Sequence, residues 1–153
     1  MEKLDSVSKV LRQKGSEVIS IRSDDSVYSA VALMAEKKIG ALLVMDNDRL
    51  MGILSERDYA RKVVLKGRSS HETQIREIMT DKPITVSPDC SVEDAMRVMT
   101  LNRVRHLPVV ERDGQVAGVL SIGDLVKWML ISQEETIKKM ENYISGARAA
   151  KAG

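Results

Sequence analysis

A short motif, Ser-x-x-Asp, recurs at equivalent places in the two halves of the chain and combines a hydroxyl and a carboxylate at a spacing suited to a sugar diol. The two copies are Ser55 with Asp58 and Ser121 with Asp124. At a helix start, positions i and i+3 lie on one side, so the two groups point the same way. A carboxylate there accepts hydrogen bonds from both hydroxyls of a ribose, and the helix start favours a nearby phosphate. Helix capping is the better explanation of a single such motif, but two copies at equivalent places favour a ligand.

The two motifs occupy equivalent places in an internal repeat. An offset of 65 residues relates Ala30 to Ala95, and after one inserted residue an offset of 66 relates Asp58 to Asp124. Two copies of one unit therefore fill most of the chain.

Each copy has the pattern β-α-β-β-α. The apolar residues of its first helix recur at i, i+3, i+4 and i+7; they are Val27, Ala30, Val31 and Met34 in one copy, and Val92, Ala95, Met96 and Met99 in the other. Apolar runs at residues 41–45 and 107–110, each followed by a polar turn and a second short strand, predict hairpins. The predicted fold class is therefore α/β (α+β), with two tandem β-α-β-β-α repeats.

The pattern also predicts the boundaries of the units. We expect an N-terminal helix within residues 1–15, a first repeat at 16–70, a second at 71–131, and a C-terminal helix with a polar tail at 132–153. Residues 66–73 have the composition of a linker. A short helical segment at 74–80 precedes the second copy much as residues 4–13 precede the first.

The composition argues against several kinds of partner. Lys and Arg number 24 against 22 Asp and Glu, and aromatic residues make up 3% of the chain. This balance indicates neither a basic patch nor stacking platforms, so we expect no nucleic-acid partner. Apolar runs such as residues 41–45 are far shorter than the roughly 20 residues of a membrane helix. Residues 1–10 lack the apolar region of a signal peptide. We expect a soluble, cytoplasmic protein without a membrane partner.

Residues for catalysis or metal binding are sparse. One cysteine, Cys90, and two histidines, His71 and His106, lie at unrelated positions. They suggest no metal site and no serine-histidine-aspartate set. Glycine-rich phosphate-binding motifs are also lacking. We therefore predict a protein that is not an enzyme and has no catalytic cofactor.

Ordered strings in both copies resemble a known family. In the second copy they are Ile78-Met79-Thr80, Ile84-Thr85-Val86, Pro88-Asp89, Ser91-Val92-Glu93-Asp94-Ala95, His106-Leu107-Pro108-Val109-Val110 and Gly118-Val119-Leu120-Ser121-Ile122-Gly123-Asp124-Leu125. In the first they are Ile19-Ser20-Ile21, Gly40-Ala41-Leu42-Leu43-Val44 and Gly52-Ile53-Leu54-Ser55-Glu56-Arg57-Asp58. Residues 16–131 thus resemble a tandem pair of CBS (cystathionine β-synthase) domains of the stand-alone, two-domain type.

The resemblance implies two domains that pack through their sheets with pseudo-two-fold symmetry and leave two clefts for adenosyl ligands. For the first cleft it implies Ser20, Gly40 and Ala41, which join Ser55, Arg57 and Asp58 of the first motif. For the second it implies Thr85, His106 and Pro108, which join Ser121 and Asp124 of the second motif and the nearby cation Arg105. The two aspartates would hold ribose, and the cationic side chains would hold phosphate or else lie on the solvated surface.

The predicted function is regulatory binding of an adenine nucleotide, AMP, ATP or NAD, without catalysis. One alternative is a protein-interaction module with vestigial clefts, and another is a module for S-adenosylmethionine. The regulated protein is unknown. The helix after Asp124 is apolar on nearly every side, which predicts a homodimer; the residues are Leu125, Val126, Trp128, Met129, Leu130 and Ile131.

Overall fold

The computed structural model describes residues 5–15 and 17–152, with side chains described up to residue 146. Its first half contains α1 (Val7–Lys14), β1 (Ser20–Ile21), α2 (Val27–Lys37), β2 (Ala41–Asp46), β3 (Arg49–Ser55) and α3 (Glu56–Tyr59), which continues as a π-helical segment, Ala60–Val64. Its second half contains a 3-10 turn (Ile75–Glu77), β4 (Thr80–Asp81), α4 (Val92–Asn102), β5 (His106–Val110), β6 (Val116–Ser121) and α5 (Ile122–Ala152). The predicted mixed α/β fold of two repeats is confirmed.

Each repeat is built on a hairpin with a parallel neighbour. β2 pairs antiparallel with β3, and β5 pairs antiparallel with β6. β1 lies parallel to β2, with Ile21 opposite Val44. The equivalent contact in the second repeat is a single parallel bridge between Val86 and Val109. The same pairing therefore exists twice, once as a strand and once as a bridge.

Pro108 explains why the strand expected at residues 84–86 is reduced to a bridge. Its carbonyl accepts a hydrogen bond from the Val86 N–H at 3.1 Å, so this side of β5 faces the segment. The nitrogen of Pro108 faces the same way but carries no hydrogen, so the ladder cannot extend back toward Ile84.

Each repeat is preceded by a segment that packs with the core of the other repeat, and we call these two the exchanged segments. α1 packs with the second repeat through Val7, Val10 and Leu11, and the Val7 N–H donates to the Cys90 carbonyl at 2.8 Å. The segment before the second repeat packs with the first through Ile75 and Ile78. β4 also completes the first sheet, which has the order β1-β2-β3-β4. Each half therefore needs a segment that precedes the other in the chain.

α5 is one continuous helix of 31 residues, although the sequence suggested a separate C-terminal helix from residue 132. At 1.5 Å per residue it is about 46 Å long. Residues 133–146 are exposed on all sides. No described helix is long and apolar enough to span a membrane. Two parts of the predicted terminal segments, residues 1–4 and Gly153, lie outside the described residues.

Candidate functional site

A cavity of about 570 Å³ opens where the two repeats meet. This volume is in the range of about 300–1,000 Å³ that is typical of small-molecule sites. Its wall combines the end of β3 and the start of α3 with the segment around β4 and the turn before β5. The lining residues are Gly40, Ile53, Ser55, Glu56, Arg57, Asp58, Arg61, Thr80, Lys82, Pro83, Ile84, Arg103, Val104, Arg105 and His106.

Asp58 lies at this wall and also caps α3. Its Oδ2 accepts hydrogen bonds from the Ser55 N–H at 2.9 Å and the Ser55 hydroxyl at 3.0 Å. The Asp58 N–H donates to Ser55 Oγ at 3.2 Å. Its Oδ1 lies 3.2 Å from Lys62 Nζ, and the side chain is 16% exposed. Ser55 and Asp58 therefore cap this helix, as the simpler explanation of the motif predicted. The same geometry leaves a partly exposed carboxylate at the cavity wall.

Positively charged side chains predominate over acidic ones in the cavity wall. Five cationic residues line the cavity, against two acidic ones, Glu56 and Asp58. The five are Arg57, Arg61, Lys82, Arg103 and Arg105. Among the described side chains, none of these five lies within ion-pair distance of a carboxylate oxygen. The ion pairs of the described part of the chain involve other lysines and arginines. A ligand with negative charge would supply the missing counter-charge.

Apolar groups form a second part of the wall. They are Ile53, Pro83, Ile84 and Val104. Ile84 is 40% exposed, an unusual degree for isoleucine, so it offers contact area for a flat apolar surface such as a purine. Nine wall residues were not among the predicted site residues, and three of them, Lys82, Pro83 and Ile84, directly follow β4 of the exchanged segment. These three residues stand at the start of the second copy in the sequence, and that position does not tell which cleft they line.

The structure brings together residues that the sequence had divided between two clefts. Gly40, Ser55, Arg57 and Asp58 line the cavity as expected for the first cleft. Arg105 and His106, predicted for the second cleft, line this same cavity. The reason is the pseudo-two-fold arrangement, which sets the start of β5 against the start of β2. A Cβ on Gly40 would lie 3.6 Å from His106 Cε1.

The other predicted residues lie outside this wall. Ser20 is exposed and pairs with Leu43 in the sheet, while Ala41 is buried at the start of β2. Thr85 is exposed beside Ile84, and Pro108 is buried within β5. Their roles in binding stay predictions.

The second Ser-x-x-Asp motif has the same local geometry and a different partner. Asp124 Oδ2 accepts from the Ser121 N–H at 2.8 Å, and the Asp124 N–H donates to Ser121 Oγ at 3.1 Å. Lys14 of α1 lies on this carboxylate, with Nζ at 2.7 Å from Oδ2. Burial alone would raise the pKa of Asp124, but the hydrogen bond from Lys14 and those from Ser121 hold it below its usual value.

His106 lies between the two aspartate motifs. It lines the cavity that contains Asp58, and in the β5–β6 hairpin it pairs with Ser121 of the second motif. Burial lowers the pKa of His106, Lys14 and Arg105 lower it further, and Asp124 opposes them. The imidazole is therefore neutral at pH 7 and can donate through one nitrogen and accept through the other.

These observations define a tandem-repeat module with a charged cleft between its repeats. The family model described as CBS domain matches residues 7–65 and 75–131. The chain belongs to the CBS-domain family, as the sequence pattern predicted.

Similar proteins share this organisation. The CBS domain-containing protein CBSX3, mitochondrial, from Arabidopsis thaliana is 40% identical over 149 residues, which cover 92% of this chain and 72% of that protein. A solved structure with CBS domains from Burkholderia ambifaria is 48% identical, with a TM-score of 0.80, and the match covers 84% of this chain and 96% of that one. The hexameric CBS-CP12 protein from bloom-forming cyanobacteria is 28% identical, with a TM-score of 0.73, over 82% of this chain and 68% of that one. The chain spans 24% of the length of two further Arabidopsis relatives, CBSCBSPB5 and CBSCBSPB4.

Proposed function

We propose that the protein is a non-catalytic regulatory module that binds an adenine nucleotide in the cavity between its repeats. The observation that carries the proposal is the convergence of Asp58, five cations and an apolar wall on one space of about 570 Å³. A nucleotide combines a diol, an anionic phosphate and a flat base, and each has a counterpart there.

The wall suggests how the parts of the nucleotide are distributed. The ribose hydroxyls would donate to Asp58, whose side chain is partly exposed and whose Oδ1 lies 3.2 Å from Lys62 Nζ. The 5′-phosphate would lie near Arg57, one residue before Asp58 and at the start of the same helix. The base would contact Ile84 and the other apolar side chains. Charge-assisted bonds to both Asp58 and the phosphate would supply most of the specificity.

The charge of the cavity favours a phosphorylated ligand over S-adenosylmethionine. S-adenosylmethionine has a positively charged sulfonium where a nucleotide has its phosphate. Arg57, Arg105 and Lys82 would repel that charge. The proposed ligand class is therefore AMP, ATP or NAD, in preference to the adenosyl sulfonium.

Titration calorimetry with AMP, ATP, NAD, adenosine and S-adenosylmethionine tests the proposal. AMP is expected to bind more tightly than adenosine, and Arg57→Ala should shrink the difference because the guanidinium pairs with the phosphate. Raised salt should shrink it as well. Recovery of unaltered ATP after incubation would agree with a non-catalytic role. Failure of every nucleotide to bind would favour an interaction module with vestigial clefts, and equal affinity for AMP and adenosine would exclude phosphate recognition.

We further propose that the module works as a homodimer that reports to a separate protein. The exposed apolar residues of α5 support self-association, and the cyanobacterial relative is itself named as hexameric. A reducing compartment such as the cytoplasm suits the one free cysteine, Cys90. Burial raises the pKa of this thiol, which makes it a poor nucleophile.

A further inference from the structure

Lys62 lies outside the cavity wall but connects two elements that contribute to it. Its Nζ lies 3.2 Å from Asp58 Oδ1 and donates to the Ile78 carbonyl at 2.8 Å. Asp58 belongs to α3 of the first repeat, whereas Ile78 belongs to the exchanged segment that precedes the second repeat. One ammonium group thus ties the proposed ribose acceptor to the segment that leads into another part of the wall.

The chain that follows Ile78 is held by few backbone contacts. β4 pairs with β3 over two residues, and the next pairing along the chain is the single bridge between Val86 and Val109. The wall residues Lys82, Pro83 and Ile84 lie between these two points. Their position in the wall therefore depends on how firmly the chain is anchored just before them, where Lys62 binds it.

The second repeat has a bond at the equivalent place, but that bond does not involve its motif carboxylate. The offset of 66 relates Lys62 to Trp128, whose indole N–H donates to Asp5 at 2.8 Å. Asp5 leads into α1, the other exchanged segment. The indole has one donor and none left for Asp124. The residue four places after the motif aspartate thus holds an exchanged segment in both repeats, and in the first the same side chain also pairs with the carboxylate at the cavity.

We propose that Lys62 is a positioning residue for the nucleotide, which holds the exchanged segment beside Asp58 and so fixes Ile84 and its neighbours relative to the ribose. This inference rests on the proposed function. Two hydrogen bonds from Ser55 to Oδ2 already orient the Asp58 carboxylate, so the main effect of Lys62 is on the segment. A wall that is fixed in advance favours binding, because the ligand does not have to order it.

Titration of adenosine and AMP against matched variants tests the proposal. Lys62→Met should weaken both ligands by a similar factor, about fivefold, because the ribose and the base are common to both. Lys62→Arg keeps a charged donor and should restore most of the affinity. The control Lys66→Met removes the same charge from an exposed residue outside the cavity wall and should leave both affinities unchanged.

A double-mutant cycle shows whether Lys62 acts through the wall. Ile84 is partly exposed, so Ile84→Ala removes contact area for the base at little cost to the core. In that background the position of the segment matters less, and Lys62→Met should weaken adenosine by no more than about twofold. Equal losses in the wild type and in Ile84→Ala would overturn positioning through this wall.

Hydrogen exchange follows the segment itself. Without ligand, amides 79–82 and 84 should exchange faster in Lys62→Met than in Lys66→Met, while the amides of β5 and β6 keep their rates. Saturating AMP should then protect amides 79–82 and 84 more strongly in Lys62→Met than in the wild type, because the ligand supplies the order that the lysine no longer does. Unchanged exchange at these amides in Lys62→Met would contradict the anchoring role.

The two proposals fail in different ways. Absence of AMP and adenosine binding to the wild type would overturn the proposed function, and this inference with it. Wild-type binding that Lys62→Met leaves unchanged or tightens would overturn this inference alone, since Lys62 would then be neutral or a competitor of the ribose for Asp58. Weakening of AMP without weakening of adenosine would also overturn it, because Lys62 would then act on the phosphate through its charge.

Discussion

At the scale of single residues, Asp58 combines a structural and a proposed binding role. Replacing it with alanine removes the acceptor for the ribose, which should weaken AMP binding tenfold to a hundredfold, or about 1.5–3 kcal/mol. It also removes part of the cap of α3 and should lower the free energy of unfolding by about 1 kcal/mol. Calorimetry and urea unfolding measure the two effects separately.

Asp94 provides a control for the loss of a carboxylate at a helix start, because its own carboxylate accepts from Arg97 and not from Ser91. It occupies the same place in a third Ser-x-x-Asp sequence, at the start of α4, where its N–H donates to Ser91 Oγ at 3.1 Å. It lies outside the cavity wall. Asp94→Ala should therefore leave AMP affinity unchanged, and equal loss of affinity in the two variants would show that the effect does not depend on the cavity.

His106 predicts a dependence of stability on pH. Because its pKa is lowered in the folded protein by burial, with Lys14 and Arg105 adding to the effect, the unfolded chain binds more protons as the pH falls below about 6.5. Stability should thus decrease from pH 7.5 toward pH 5.5, by at most about 1.4 kcal/mol per pH unit for this one group. Urea midpoints across this range measure the slope. His106→Gln should flatten it, and an unchanged slope in that variant would assign the effect to other groups.

At the scale of elements, the exchanged segments depend on two glycines at equivalent places in β3 and β6. A Cβ on Gly52 would lie 2.5 Å from the Thr80 carbonyl oxygen of β4, which is backbone and cannot turn aside. A Cβ on Gly118 would lie 2.9 Å from Leu11 Cδ2, the end of a flexible side chain. Gly52→Ala should cost about 1–3 kcal/mol of unfolding free energy, and Gly118→Ala less. Denaturant titration compares them, and the reverse order would refute this account of the close approach.

The exchanged segments also show which features of the fold and of the site could be predicted from the sequence and which could not. The repeat, the hairpins and the capped helices follow from local patterns, which is why residues such as Ser55 and Asp58 were found. Local patterns do not say which core an amphipathic segment joins. The way in which the segments and repeats pair in three dimensions brings Lys82 and Ile84 into the wall and sets His106 opposite Gly40. The cation on Asp124 likewise comes from a helix more than a hundred residues away, and no spacing rule could connect it.

At the scale of the whole molecule, α5 carries more apolar surface than one chain buries. Leu125 is fully buried, whereas Val126, Met129 and Leu130 are 43%, 37% and 57% exposed. Farther along, the spacing of Leu130, Ile137, Met140 and Ile144 continues an apolar stripe with intervals of seven, three and four residues. This is the spacing of a coiled-coil seam.

The helix itself argues for a partner on that stripe. Residues 133–146 have no contact that buries them within the chain, and an isolated helix of such length is marginal in water. A second copy offers the same stripe by two-fold symmetry, so one surface can cover the other. The symmetric partner would also cover Val126 and Leu130, which joins the seam to the body of the repeat.

We therefore expect a homodimer that is weakened by charge on the stripe. Ile137→Glu would place a carboxylate in the apolar seam of both copies, where it would be desolvated without a cation, and should shift the protein toward monomer by at least about tenfold in dissociation constant. Asn142→Glu adds the same charge to a different face of the same helix and should leave the dimer intact. Sedimentation equilibrium at micromolar concentrations measures both. A monomeric wild type would refute the dimer, and equal weakening by the two variants would mean that net charge, rather than this stripe, governs the association.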